Sequence, residues 1–271
     1  MPGGVAAFLL DLDGTIYLGD RLLPGAAAWI EFLREGGYPF LFLTNNSARD
    51  AAAYTRKLKR YGLSISPDEI LTSGEATARY LRQEGITRLF PIGTPAFEAE
   101  FRRRGITLDG ADVARTEAVV VGFDTTLTYA KLEAGCRLLL RGARFIASHP
   151  DYVCPTEGEP LPDCGAICAA ITAATGREPT IVGKPSAFMI RVALEKLGAP
   201  AEKTAIVGDR LYTDIRMGIE GGIFPILVLT GETKEGDLAQ SPWQPGACFP
   251  SVRELHRALA RRDRRSFPGG D

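Results

Sequence analysis

The chain has 271 residues, 45% of them hydrophobic, and a formal net charge of -1 from 32 basic and 33 acidic side chains. That is enough apolar sequence for one or two cores, and the near balance of charge gives no electrostatic case for a nucleic-acid polymer or an anionic membrane as partner. No apolar run approaches the ~20 residues of a membrane span, and MPGGVAAFLLDLDG at the N-terminus lacks the basic segment and the length of a signal peptide, so a cytoplasmic protein is expected.

The first predicted strand is VAAFLL, residues 5–10, short and apolar without alternation, as in the centre of a parallel sheet. GAAAWIEFLREGG follows with Ala26, Trp29, Ile30 and Leu33 at helical spacing and Gly36-Gly37 as a stop. YPFLFL, 38–43, is a second strand running into Thr44-Asn45-Asn46-Ser47, where Asn46 or Ser47 is the expected cap of the next helix. Strand–helix–strand–helix order predicts a parallel α/β sheet. The pattern returns late: a helix over 184–198, a strand TAIVG over 204–208 ending in Asp209, a helix to about Gly221, a strand FPILVLT over 224–230 and a last helix over 251–262.

The middle of the chain is too long for one crossover and carries strands of its own at TRLFPIG (87–93), AVVVGFD (118–124) and ARFIASH (143–149). We read a Rossmann-like parallel-sheet core, residues 1–78 and 180–271, with an inserted α/β domain over 79–179. The five cysteines, Cys136, Cys154, Cys164, Cys168 and Cys248, are odd in number and irregularly spaced, unlike a secreted disulfide framework. Cys154, Cys164 and Cys168 with His149 are metal-ligand types, but no CxxC pair is present. Cys164 and Cys168 are spaced as neighbours on a helix, which favours small buried apolar side chains.

Right-handed crossovers bring the carboxyl ends of parallel strands to one edge, where open α/β sheets bind ligands. Three predicted strands deliver polar residues there: Asp11 and Asp13, then Thr44-Asn45-Asn46, then Asp209, with Lys184 opening a later helix. Clustered carboxylates repel one another and call for a hard divalent cation such as Mg²⁺. A bound cation then invites a phosphate, which a hydroxyl, an amide and an ammonium can hold. One carboxylate can attack phosphorus, and another two residues on can protonate the leaving alcohol.

DLDGT resembles the first motif, DxDxT, of the haloacid dehalogenase-like hydrolases. LFLTNN resembles their second motif, Lys184 in IVGKPS the third, and Asp209 with Asp214 in VGDRLYTD the fourth, in family order. The long middle resembles the larger inserted cap of that family, and TNNS with PDCGAICAAITAATGREPTIVGKPS resembles its NagD-like branch of small-molecule phosphatases. The resemblance implies Asp11 as nucleophile and Mg²⁺ ligand, and Asp13 as general acid/base that reaches the metal through its backbone carbonyl. It implies Thr44, Asn45, Asn46 and Lys184 as phosphate-binding groups, Asp209 as a metal ligand and Asp214 as support for the metal shell. The expected activity is a Mg²⁺-dependent phosphomonoesterase for small metabolites such as nucleoside monophosphates or sugar phosphates, working through an aspartyl-phosphate. Phosphotransferase or phosphomutase chemistry on the same intermediate, or a non-catalytic phosphate-binding module, are the alternatives.

Substrate choice is expected in the cap loop SHPDYVCPTEGEPLPDCG, 148–165, where His149, Asp151 and Asp163 could touch a leaving group. A homo-oligomer formed through the cap is compatible with this reading, although no segment marks a contact.

Overall fold

The computed structural model describes residues 4–110, 115–156 and 158–266. In chain order the elements begin with β1 (Ala7–Asp11), β2 (Tyr17–Leu18), β3 (Arg21–Leu22), α1 (Ala26–Glu35), β4 (Phe40–Thr44), α2 (Ala51–Arg60), β5 (Ile70–Thr72) and α3 (Ser73–Gln83). The middle holds β6 (Arg88–Ile92), α4 (Pro95–Arg102), β7 (Thr107–Leu108), β8 (Ala118–Val121), α5 (Tyr129–Leu140), β9 (Arg144–Ala147), β10 (Val153–Cys154), β11 (Leu161–Pro162) and α6 (Cys164–Thr175). The chain closes with β12 (Thr180–Ile181), α7 (Ala187–Leu197), β13 (Thr204–Gly208), α8 (Arg216–Glu220), β14 (Phe224–Val228), β15 (Ala247–Phe249) and α9 (Val252–Ser266). Two compact units result, one from Met1–Phe42, Leu58–Ser64 and Ala193–Asp271, the other from Leu43–Lys57 and Ile65–Val192.

In the first unit the strand order is β15-β14-β13-β1-β4. The β1–β13, β13–β14 and β14–β15 pairs are parallel, with Leu9 opposite Ile206 and Val207 opposite Ile226. β1 is buried at every position, as its unbroken apolar run requires of a strand covered on both faces. Trp29 of α1 meets Phe8 edge-to-face at 5.3 Å, and Phe32 lies 4.8 Å from the His256 ring of α9, so α1 and α9 share one layer.

The second unit has its own five-stranded sheet, in the order β12-β9-β8-β6-β7, with every pair parallel. Its core joins Ile92, Val119, Val121 and Phe145 of the strands to Leu138 and Leu139 of α5 and Ile167, Cys168 and Ile171 of α6. Thr72, Thr94, Thr128 and Asp163 cap α3, α4, α5 and α6 by accepting backbone N–H groups. Both sheets are parallel and flanked by helices, so the predicted α/β class holds. Cys164 and Cys168 lie in the apolar core of this unit, one turn apart on α6.

One cap is corrected. The helix after Thr44 starts at Ala51, and Asp50 caps it by accepting from the Ala53 N–H at 2.9 Å. Asn46 instead turns the chain by accepting from Ala48 N, and Ser47 accepts from Phe123 N at 2.8 Å. A local turn bond at Asn46 and a tertiary partner at Ser47 outweigh their capping preference. Among the described residues no helix is long and apolar enough to cross a membrane.

Leu9 is fully buried in the central strand of the first sheet. Leu9→Ala is expected to cost about 2–5 kcal/mol of stability, read from the urea midpoint at unchanged slope.

Candidate active site

The carboxylates of the first unit gather at strand ends. Asp11 is the last residue of β1, and Asp209 directly follows β13, the strand paired with β1. Asp214 stands on a π-helical turn, Leu211–Ile215, before α8; Asp214 N donates to Arg210 O and the Arg210 N–H donates to the Asp214 carboxylate at 3.2 Å. Such turns interrupt regular helix and re-aim side chains. All three aspartates are buried, and one oxygen from each lies within 4.8 Å of the others. Three hard anionic donors at that spacing fit a divalent cation.

The chain leaves room around Asp209. Gly14 has φ +87, which L side chains rarely adopt, and a Cβ there would lie 2.5 Å from Asp209 Oδ2. A Cβ on Gly231 would also collide with that carboxylate, whose Oδ2 accepts from Glu232 N at 2.6 Å. Thr230 ties the Gly14 carbonyl through its hydroxyl at 2.5 Å. After β1 the backbone closes tightly, Ile16 and Tyr17 N–H both returning to Leu12 O, and this presents Asp13 half-buried with the Tyr17 hydroxyl donating to its Oδ2 at 2.9 Å.

Thr44, Asn45, Asn46 and Lys184 belong to the second unit, where the first two and Lys184 are buried. The Thr44 hydroxyl accepts from Asn46 N at 3.1 Å. Asn45 clamps Lys184 from both sides: its Oδ1 accepts Lys184 N at 2.9 Å, and its Nδ2 donates to Lys184 O at 3.1 Å. The same Nδ2 lies 3.3 Å from both oxygens of Asp151. This turn is stitched to the carboxyl ends of β6, β8 and β9, through Thr94 Oγ1 to Ala48 O, Phe123 N to Ser47 Oγ and Ser148 Oγ to Ser47 Oγ. Ser186, two residues after Lys184, caps α7 by accepting Met189 N at 3.2 Å.

His149 and Asp163, expected to reach a leaving group, are fully buried and face each other. His149 Nε2 lies 3.4 Å from Asp163, and its Nδ1 lies 3.6 Å from Asp151. Burial pulls the imidazole pKa down, but Asp163, Cys164 and Asp151 outweigh it and hold it up at about 9. Sequence reasoning marked these residues without seeing the cluster, because the contact bridges a loop that carries no periodic signal. The Asn45–Asp151 contact was missed for the same reason.

Comparison with known proteins gives the family. The model of the haloacid dehalogenase-like hydrolase family matches residues 8–107, and a related HAD-hydrolase-like model matches 181–255. The chain belongs to the haloacid dehalogenase-like hydrolases, in their NagD-like branch. It is 33% identical to the 5'-nucleotidase YutF of Bacillus subtilis, over 91% of this chain and 96% of that protein. It is 34% identical to the ribonucleotide monophosphatase NagD of Escherichia coli, with the same shares covered, 91% and 96%. The crystal structure of a 4-nitrophenylphosphatase from Thermotoga maritima superposes with a TM-score of 0.89 at 44% identity, covering 94% of this chain and 97% of that one. The protein is accordingly a phosphoric monoester hydrolase of this family.

The carboxylate cluster makes a direct prediction. A divalent cation at about 100 times its Kd is expected to stabilise the wild-type protein by about 2.7 kcal/mol, read as a rise in Tm. Gly14→Ala, which crowds Asp209, is expected to abolish that rise, whereas a substitution at the exposed Gly236 is expected to keep it.

Proposed function

We propose that this enzyme is a Mg²⁺-dependent phosphomonoesterase of small phosphorylated metabolites that works through an aspartyl-phosphate on Asp11. The observation that carries the reading is the buried Asp11–Asp209–Asp214 cluster at the carboxyl ends of β1 and β13, in a chain of this family. Asp11 attacks phosphorus: an oxygen–phosphorus bond forms as the bond to the leaving alkoxide breaks. Asp13 gives that alkoxide its proton. The bond from the Tyr17 hydroxyl orients the Asp13 carboxyl. In the second half Asp13 takes a proton from water, the water oxygen bonds to phosphorus, and the Asp11 carboxylate leaves, releasing inorganic phosphate.

Thr44, Asn45, Asn46 and Lys184 hold the phosphoryl oxygens in this proposal, a role supported by the match of TNN and GKPS to the family motifs. Asp11, Asp13 through its backbone carbonyl, and Asp209 hold the cation, and the spacing of the cluster supports Asp214 beside them. When bound, Mg²⁺ screens the charge between the attacking carboxylate and the phosphate. We further propose the division into a core, 1–78 and 180–271, and a cap, 79–179, that keeps water out until substrate is bound. A cytoplasmic location belongs to the same proposal. The substrate class rests on relatives whose names span nucleotide and nitrophenyl phosphates.

Phosphate release from a panel of nucleoside monophosphates, sugar phosphates and nitrophenyl phosphate tests the reading. Turnover is expected with Mg²⁺ and not with chelator. Asp11→Asn should remove it by several orders of magnitude, and Asp13→Asn should lower it by about 10²–10⁴. A folded wild-type enzyme that hydrolyses none of these esters would overturn the proposal.

A further inference from the structure

Three buried titratable groups of the second unit that the proposed reaction does not use, His149, Asp151 and Asp163, lie together. His149 directly follows Ser148 at the end of β9 and is 0% exposed. Asp151 and Asp163, on its two sides at 3.6 and 3.4 Å, are each 3% exposed. Cys164 is its third titratable neighbour. Each ring nitrogen lies at ion-pair distance from a carboxylate, Nε2 from Asp163 and Nδ1 from Asp151. Two carboxylates on either side of a buried imidazole favour a proton on the ring.

The surrounding backbone keeps these groups in register. Asp163 caps α6 by accepting Cys164 N at 2.6 Å, Gly165 N donates to Asp151 O at 2.8 Å, and Asp163 N donates to Tyr152 O at 2.9 Å. These bonds hold the backbone of residues 151 and 152 against the start of α6. On its other side Asp151 faces the Asn45 amide, which holds both backbone groups of Lys184. Asn45 is itself pinned by the Ser73 hydroxyl, which donates to its carbonyl at 2.5 Å. A continuous path thus runs from Asp163 through His149, Asp151 and Asn45 to Lys184.

We propose that His149 is a positioning residue for the phosphate-holding group: charged between Asp163 and Asp151, it keeps Asp151 ionised against Asn45 and so fixes the amide that clamps Lys184. The proposal rests on the reading above that Asn45 and Lys184 hold the phosphoryl group. With an ionised Asp151, the Asn45 Nδ2 has one orientation that satisfies both Asp151 and the Lys184 carbonyl. A protonated Asp151 competes as a donor, and the amide loses that orientation.

The chain has two histidines, His149 and His256, so ring-proton NMR of the full-length wild-type protein resolves the charge directly, with His256→Gln assigning the signals. The His149 ring is expected to stay protonated at pH 8, and Asp163→Asn is expected to lower its midpoint by at least about one unit. In calorimetry with inorganic phosphate and Mg²⁺, His149→Gln is expected to weaken phosphate binding about tenfold. Its KM for the best ester should rise by a similar factor, with kcat changed less. A ring neutral at pH 7 in the folded wild-type protein would overturn the proposal even if no variant folds. So would a folded His149→Gln protein with unchanged phosphate affinity and KM. Lys184→Ala separates the two readings: phosphate affinity unaffected by that change removes the assigned role of Lys184 and the proposal with it, whereas a phosphate site lost in Lys184→Ala but intact in His149→Gln removes the positioning role alone.

Discussion

Like charges brought together inside a protein set the terms for everything around them. Asp11, Asp209 and Asp214 are buried within 4.8 Å of one another, and such a cluster is tolerable only where something positive completes it. The rest of the first unit can be understood as the apparatus that holds these groups in place. Two parallel strands in register, Leu10 opposite Val207, end side by side and deliver Asp11 and Asp209. A π-helical turn carries Asp214 back toward them. Two glycines, Gly14 and Gly231, leave out the side chains that would collide with the Asp209 carboxylate.

The second unit handles charge differently. Its interior places an imidazole between two carboxylates and connects one of them, through an amide, to a lysine backbone. In the proposed reading the first unit offers anionic oxygens to a bound divalent cation, whereas the second places a histidine between its carboxylates. Both solutions occur where parallel strands end, at the ends of β1 and β13 in one sheet and of β9 in the other. This is the edge at which open α/β sheets leave polar groups to be satisfied.

Much of this was legible in the sequence, and for a physical reason. A central parallel strand buries both faces, so an apolar run that stops at an aspartate marks both the strand and its tip; Asp11 and Asp209 were found in that way. The helical spacing of Ala26, Trp29, Ile30 and Leu33 likewise marks a face that the structure buries. Two-residue strands such as β2 and β3 carry no period to detect. At Ser47 the expected cap yields to distant partners, Phe123 and Ser148, and at Asn46 to a local turn. The His149 cluster was equally hidden, since SHPD and LPDCG become neighbours only once the loop between them has folded back into the β10–β11 hairpin.

The stitching of the turn at residues 44–48 also bears on how the chain acquires its form. Its partners Thr94, Phe123 and Ser148 lie 46, 76 and 101 residues further along the chain. Contacts that distant are slow to close, because the intervening loop must lose its freedom before any bond rewards it. On a nascent chain the full set of these bonds cannot form until residue 148 has left the ribosome. The segment assigned to grip phosphate is made early and completed late.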